Sequence, residues 1–568
     1  MNKNAGHRII IPIVHFLLTF LFERFVFIFK DYGDIVTPVA KSSVISLSGE
    51  RVMGYVIAKI LAAFLIFALW KLVFYIKDNI SKAAVKGFLI LFAVSFVVIL
   101  VCFPDCFGYG VYGEYSDNLI TFSYGLRFLP EYWHSAYSSL IYAASMEVIP
   151  TPFAIPVIQL IFLIFDLGYV YLRVTGEFKP AGVRKIFWIL IFILPESWFL
   201  LTYAYRTEGY AVVCMFFFSL VLLDIITGRK RNTLELIGIA GLAAFLSVWR
   251  TEGVILGFLG MGILLVANYR KEAKRAIPVA CFYIVAFILI SVPQKIGDMK
   301  YYGSDYTIIN SFAVVRNIFN REDSNLSYPG ATEDIEAIEA VVPIEAVRLY
   351  GLEGYRNYNV LMGHVDINQS IPGFEAGKMY SSAYRRLCLH NIKAYALTQI
   401  GKLKAAVKFS TGEYIEKIHG NFNLSREYPM FSFPAWEWGE VDIISFNHVR
   451  GWAELPIRKQ IGTGIIRGVR TLESLMQKTY VATLIIAAVV VSSGICLICD
   501  FISIIRKKKK ARINSCFFAV ELVLFMEAAA IFAVMPAGVL SYFRAVLTCM
   551  FLVLYIRLTA FSSQYLQR

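Results

Sequence analysis

Three carboxylates, Asp105, Glu114 and Asp117, crowd the stretch FPDCFGYGVYGEYSDNLITFSYG that begins at Phe103. Aromatic residues are interleaved with them: Phe107, Tyr109, Tyr112, Tyr115, Phe122 and Tyr124. A carboxylate at a water–lipid boundary can take the proton from a sugar hydroxyl, and aromatic faces suit sugar rings or an isoprenoid chain. The plainer alternative is a set of solvated acids inside an interfacial aromatic belt.

Two later pieces repeat one another, YRTEGY from Tyr205 and WRTEGV from Trp249. Each sets Arg-Thr-Glu-Gly at the start of an apolar run. Glycine there permits close helix packing, and threonine can cap a helix N-terminus. Charge next to a membrane is costly, so Arg206, Glu208, Arg250 and Glu252 need a reason. One reason is that the arginine forks hold an anionic phosphate. The other is that each Arg–Glu pair anchors a helix end at the interface.

Other polar residues stand in or beside apolar runs. Glu196 and Arg544 fall near the same side as these steps, Glu527 near the middle of its run, and Asp166, Asp224 and Glu521 towards the other side. A substrate path or a helix-packing hydrogen bond would account for them. His134, in YWHSAY, stands where a surface or re-entrant helix should begin. His364, His390, His419 and His448 lack metal-ligand spacing, and no phosphate-binding loop, dinucleotide fingerprint, zinc motif or Gly-x-Ser-x-Gly elbow occurs. Cys496 and Cys499 form a CxxC, but inside an apolar stretch with no second ligand pair, so neither metal nor redox chemistry is read from them. No cofactor is implied, and a divalent cation is left open.

The elements that must carry these groups follow from composition. The 568 residues are 58% hydrophobic and 17% charged, with mean hydropathy +0.62, outside the range of ordinary soluble domains. Aromatics reach 15%, as expected where rings sit at lipid–water interfaces. The net charge of +14 lies in short links between apolar runs, which reads as membrane orientation and not as a nucleic-acid surface. Crossing the hydrocarbon core takes roughly 20 apolar residues. Runs of that length, or nearly so, lie at 9–29, 53–76, 87–104, 152–172, 186–203, 208–226, 234–249, 252–268, 276–293, 479–501, 514–534 and 538–560. No small-residue cleavage site follows the first run, which is read as an anchor.

The fold expected is therefore an all-α polytopic membrane protein with about twelve transmembrane helices. Residues 1–293 form an N-terminal membrane domain of about nine helices, 294–478 a mainly helical, mixed extracytoplasmic insert, and 479–568 the C-terminal membrane helices. The insert shows its clearest helical periodicity from Phe374 to Phe409. With the N-terminus inside, the inside gaps hold Lys77, Lys82, Lys86, Arg173, Lys179, Arg184, Lys185, Arg229 to Arg231, Arg270 to Arg275 and Arg506 to Lys510. Every short gap then obeys the positive-inside rule. Both termini fall in the cytoplasm. The acidic loop at 105–151, both Arg-Thr-Glu-Gly steps and the insert fall outside.

An acid-bearing first long external loop, the aromatic-His step Trp133-His134, and Arg-Glu-Gly at later helix starts resemble the GT-C superfamily of membrane glycosyltransferases. Many bacterial members read approximately Pro-Gly…Asp…His-Pro in that loop. Here Phe103-Pro104 matches the start, Asp117 the acid and His134 the histidine; Asp105 stands where Gly is expected and Ser135 where Pro is. WRTEG is similar to the Arg-Pro/Thr-Glu-Gly such enzymes carry after the middle helices. LHNIKAYALTQIGKL from Leu389 looks like a helix near the start of the family's soluble portion, without its Pro. The resemblance covers roughly residues 87–300.

It implies inverting transfer of a sugar from a polyprenyl-phosphate donor to a glycan, lipid or protein acceptor, at a site on the extracytoplasmic face of the cell membrane. Asp117 would be the base, with Glu114 and Asp105 as alternatives. Arg250 and Arg206 would bind the donor phosphate, with Glu208, Glu252, His134 and Arg544 around the substrate. Two other classes remain: a cell-envelope polysaccharide polymerase, ligase or flippase, and a transporter. The first would shift the weight to 294–478, and the second would need broken helices and polar residues at mid-membrane.

Overall fold

The computed structural model describes residues 3–27, 47–103, 117–132, 134–180, 182–202, 206–269, 273–301, 305–350, 373–407, 447–506, 511–535 and 540–561. Among them the chain is helical, with no strand. From the N-terminus come α1 (Lys3–Val26), α2 (Leu47–Asn79), α3 (Ala83–Cys102), α4 (Asp117–Gly125), α5 (Ala136–Val148) and α6 (Ala154–Phe178). A 3-10 helix (Gly182–Phe192) and short turns lead into α7 (Phe199–Thr202). Then follow α8 (Arg206–Thr227), α9 (Thr233–Trp249), α10 (Gly253–Tyr269) and α11 (Ala273–Tyr301). The insert contributes α12 (Asp305–Phe319), α13 (Ala331–Glu339), α14 (Ile344–Tyr350), α15 (Gly373–His390), α16 (Ile392–Val407), α17 (Asn447–Ala453) and α18 (Pro456–Lys478). Helices α19 (Val481–Ile505), α20 (Ala511–Val534) and α21 (Arg544–Phe561) close the chain.

Among the described residues, nine helices are long and apolar enough to cross a membrane: α1, α2, α3, α6, α8, α11, α19, α20 and α21. The runs expected at 234–249 and 252–268 are the 17-residue helices α9 and α10. At 1.5 Å per residue each is about 25 Å long, short of a hydrocarbon core of about 30 Å. The run at 186–203 is a 3-10 helix broken at Ile193–Leu194, followed by short turns. These three segments are apolar where expected but shorter or more irregular than a full span.

Burial sorts the long helices into centre and rim. In α8 and α21, 83% of the most apolar window is buried, against 11% in α11 and 22% in α3. The central core runs through Leu163, Phe217, Phe218, Leu246, Leu524 and Tyr555. The rim helices instead expose Ile60, Phe64, Val94, Ile288, Leu289 and Val491. Such a continuous apolar exterior is what a membrane protein presents to lipid.

The insert has an apolar core of its own, built from Ile308, Phe312, Val315, Ile338, Tyr380 and Leu387. The periodicity expected over 374–409 is present, over its described part to Val407, as two helices, α15 and α16, parted at Asn391. That side chain caps the break: its Nδ2 donates to the Leu387 and Asn325 carbonyls (3.0 Å each), and its Oδ1 accepts from the Asn325 amide (2.7 Å). Buried Asp334 takes the Arg386 fork and the Tyr328 hydroxyl (2.8 Å), and these partners hold its carboxyl below the usual range despite burial.

Many of the polar contacts fall at two ends of the bundle. At one end α16 reaches the terminus of α20, and α17 and α18 reach the terminus of α3. We call this the insert end. The opposite end carries Arg8–Asp78, Arg231 with Asp224, Arg173 with Thr227, and Arg557 with Asp500 and Glu521. The 22 residues of α8 hold the two ends roughly 30 Å apart.

Candidate functional site

The two Arg-Thr-Glu-Gly steps meet at the insert end, and they do so reciprocally. Gly209 of the first step faces the Trp249 ring, which immediately precedes the second; a Cβ on Gly209 would stand 3.2 Å from that ring. Gly253 of the second faces Tyr210, which follows the first; a Cβ there would stand 2.5 Å from the Tyr210 hydroxyl and 2.2 Å from the Leu246 carbonyl. Tyr210 and Trp249 pack edge to face at 5.9 Å. Each glycine makes room for the aromatic neighbour of the other step.

The two steps differ locally. Arg206 is the first residue of α8, so the first step is the opening turn of a helix. The second bridges two helices: Arg250 is the C-cap of α9 and Gly253 the first residue of α10. The threonine capping expected from sequence is replaced in the first step, where the Thr207 hydroxyl donates to the Glu208 carboxylate (2.6 Å).

This corner gathers charge from four helices. Arg544, at the start of α21, pairs with Glu208 at 2.9 Å, both nearly buried. Arg250 uses its Nε on Glu252, and its guanidinium lies 5.7 Å from the Tyr210 ring centre and 6.0 Å from that of Tyr542. Its two terminal nitrogens make no hydrogen bond among the described residues. A guanidinium near two aromatic rings, with its terminal nitrogens making no hydrogen bond, has the chemistry to take an anion. Glu527 of α20 is the third acid here. It is 1% exposed, neither oxygen has a hydrogen-bond partner among the described residues, and its electrostatic neighbours are Glu252 and Arg250.

His134 joins the corner through a chain of hydrogen bonds. Its Nδ1 lies 2.8 Å from the Glu131 carboxylate, which also accepts the His134 backbone N–H (3.1 Å). The His134 carbonyl accepts from Ser138 (2.9 Å), and Ser138 Oγ accepts the Trp249 indole N–H (3.1 Å). Helix α5 begins two residues after His134, N-capped by Ser135 at φ 82°. Proline cannot adopt that angle, so serine suits this backbone where proline would not. From the far side the Gln294 amide of α11 closes the loop, accepting from the Ala136 N–H (2.7 Å) and donating to the Tyr132 carbonyl (3.0 Å).

Of the acids named from sequence, Asp117 is the first residue of α4, which packs on α5. Asp105 and Glu114 lie outside the described residues. Thus His134, Glu208, Arg250, Glu252 and Arg544 come together, Arg206 opens the same helix as Glu208, and Asp117 sits one helix away. Sequence reasoning missed Glu131, Ser138, Tyr210 and Tyr542 as part of the site. The Glu131-x-x-His134 spacing was the available signal, and the other three are ordinary residues that only packing singles out. Asp166, with Ser219, lies deeper along α6, and Asp224 and Glu521 are ion-paired at the opposite end. No group of three or more metal-binding side chains occurs among the described residues.

The insert covers this end by satisfying exposed helix termini. On α16, Tyr395 and Gln399 donate to the Ala533 carbonyl (2.6 and 2.7 Å), and Lys402 donates to that of Met535 (3.0 Å). Residues i, i+4 and i+7 share a helix face, and the last carbonyls of α20 are orphaned acceptors. Burial pulls the Lys402 amine down to about 8. On the other flank, Trp452 donates to the Leu100 carbonyl (2.5 Å) and Arg458 to that of Phe103 (2.9 Å).

No protein-family model matches the chain, and no curated protein or solved structure matches it either.

Proposed function

We propose that the chain is a membrane glycosyltransferase of the GT-C kind, moving a sugar from a polyprenyl-phosphate donor to an extracytoplasmic glycan, lipid or protein acceptor with inversion. The observation that carries this reading is Arg250, whose guanidinium lies near the Tyr210 and Tyr542 rings with its Nε on Glu252 and its terminal nitrogens making no hydrogen bond among the described residues. As the glycosidic bond breaks, charge gathers on the departing lipid phosphate, and a preorganised guanidinium stabilises that charge where a flexible one would not. Arg206 and Arg544 add positive potential, and Glu208 and Glu252 hold the forks in place.

In this reading Asp117, with Glu114 and Asp105 as alternatives, takes the proton of the acceptor hydroxyl as its oxygen attacks the anomeric carbon. The insert end is the extracytoplasmic face. The chain crosses the membrane twelve times, with α9, α10 and the 182–202 segment as the short crossings, and both termini lie in the cytoplasm. Sorting of Arg8, Arg173, Arg231 and Arg557 to the end away from the Arg-Thr-Glu-Gly corner supports that orientation.

The test is an assay of membranes containing the protein with radiolabelled polyprenyl-phosphate sugars. Asp117→Asn should abolish transfer with expression intact. Arg250→Lys, which keeps charge but loses the fork, should weaken donor use by an order of magnitude or more. Full activity in both variants would remove the assignment.

A second reading, movement of a lipid-linked glycan across the membrane, is favoured by Glu527, buried within a membrane helix with no hydrogen-bond partner among the described residues. Transport without any sugar transfer, lost in Glu527→Gln, would select it.

A further inference from the structure

Helix α18, PIRKQIGTGIIRGVRTLESLMQK, carries Arg458, Lys459, Arg467, Arg470 and Lys478 against Glu473 alone. Only Thr479 and Tyr480 separate it from the α19 span, so its C-terminal end lies at a membrane boundary. Its other end is clamped to the terminus of α3. Arg458 donates to the Phe103 and Val101 carbonyls, Ile466 is buried, and Gly462 lies so close that a Cβ would stand 2.5 Å from the Val101 carbonyl. Both attachments hold α18 along the boundary.

The face turned away from α3 carries a different pattern. Pro456, Lys459, Gln460, Thr463, Gly464 and Arg467 line a groove of about 420 Å³. Lys459, Gln460 and Arg467 are exposed, and Ile457 (71% exposed) and Ile461 (49%) flank them. Basic side chains beside exposed isoleucines are the pattern of a helix lying among lipid headgroups, with apolar side chains towards the acyl region. In the orientation proposed above this cationic stretch lies outside, within 25 residues of a span, where basic residues are normally sparse. An anionic ligand gives the charge a reason to be there.

We propose that the α18 groove binds the phosphate headgroup of an anionic membrane lipid. Lys459 and Arg467 engage the phosphate, Gln460 and Thr463 hydrogen-bond to it, and Ile457 and Ile461 lie along the acyl chain. The site stands on membrane insertion and not on sugar transfer, so the two readings fail separately.

The full chain is purified into phosphatidylcholine nanodiscs containing a minor fraction of dioleoyl phosphatidylglycerol, and protein-bound lipid is quantified by mass spectrometry. Wild type should retain phosphatidylglycerol in excess over its share of the disc. Lys459→Gln/Arg467→Gln should lose that enrichment, roughly fivefold for each basic residue removed. Gly464→Leu should lose it with every charge in place, because a Cβ there meets nothing within 4 Å and the side chain grows into the groove. Lys393→Gln, on the insert away from α18, should leave it unchanged. A melting transition like that of wild type in Gly464→Leu separates loss of binding from loss of fold. Equal enrichment in wild type and both groove variants would overturn the site. Displacement of the lipid by inorganic phosphate alone would overturn the lipid source in favour of a soluble anion.

Discussion

Gly253 packs against the hydroxyl of Tyr210, and that contact ties the second Arg-Thr-Glu-Gly step to the first. Its counterpart, Gly209 against Trp249, is looser: an added Cβ meets one ring atom at 3.2 Å, whereas at Gly253 it would also strike the Leu246 backbone at 2.2 Å. Gly253→Ala should therefore lower thermal stability sharply, and Gly209→Ala by about 1 kcal/mol or less. Tyr210→Phe should not rescue Gly253→Ala, because the backbone clash remains. Trp249→Phe should rescue Gly209→Ala. Equal melting shifts in the two alanine variants would contradict the interlock.

Arg544 and Glu208 form a nearly buried ion pair at 2.9 Å. Removing one partner strands the other, at a cost of about 3–5 kcal/mol. Glu208→Leu and Arg544→Met should each destabilise to that extent, and the double variant should recover most of the loss. A double-mutant cycle in a thermal melt measures the coupling, and additive losses would argue against the pair. If Arg544 also serves the donor phosphate, the double variant recovers stability but not transfer.

Ser135→Pro restores the residue that the resemblance leads one to expect, and should nonetheless be harmful. Proline holds φ near −65°, and Ser135 sits at 82°. Ser135→Gly should be tolerated, since glycine occupies that region freely. Yield and melting temperature check both. A proline variant as stable as wild type would mean that the loop has another conformation.

The contact between insert and bundle should depend on pH through Lys402. Its folded value, about 8, lies below the usual 10.5 because burial disfavours the charged amine. Between the two values the unfolded chain binds more protons, so stability rises with pH across that window, by up to about 1.4 kcal/mol per unit, and is flat below it. Lys402→Met should abolish the slope. A melting series from neutral to alkaline pH provides the comparison, and the same slope in the variant would assign it to another group.

Much of the fold is legible along the chain, because membrane helices announce themselves by length. Uninterrupted apolar runs placed α1, α2, α3, α6, α8, α11, α19, α20 and α21 where they occur. The 182–202 segment was harder: apart from Pro195-Glu196-Ser197 it is apolar from Ile186 to Leu201, but a 3-10 helix and short turns replace one continuous span. Hydropathy measures how apolar a run is and is blind to the hydrogen-bond pattern its backbone adopts. The break at Asn391 was hidden for a similar reason, since the side chain satisfies two carbonyls and an amide across it without interrupting the helical periodicity.

The candidate site was legible only as fragments. The sequence by itself determined that Arg206, Glu208, Arg250, Glu252 and Arg544 stand beside membrane runs, where charge is expensive and needs a purpose. It also determined that the basic links alternate with these steps along the chain. Only tertiary structure decided which charges meet. Arg544 pairs with Glu208 across more than 300 residues of sequence, Arg250 stays with Glu252 two residues away, and His134 reaches Trp249 through Ser138. Such partners are chosen by helix packing, which depends on the glycines at 209 and 253 and on the aromatic shapes they admit, and those contacts leave no period in the sequence.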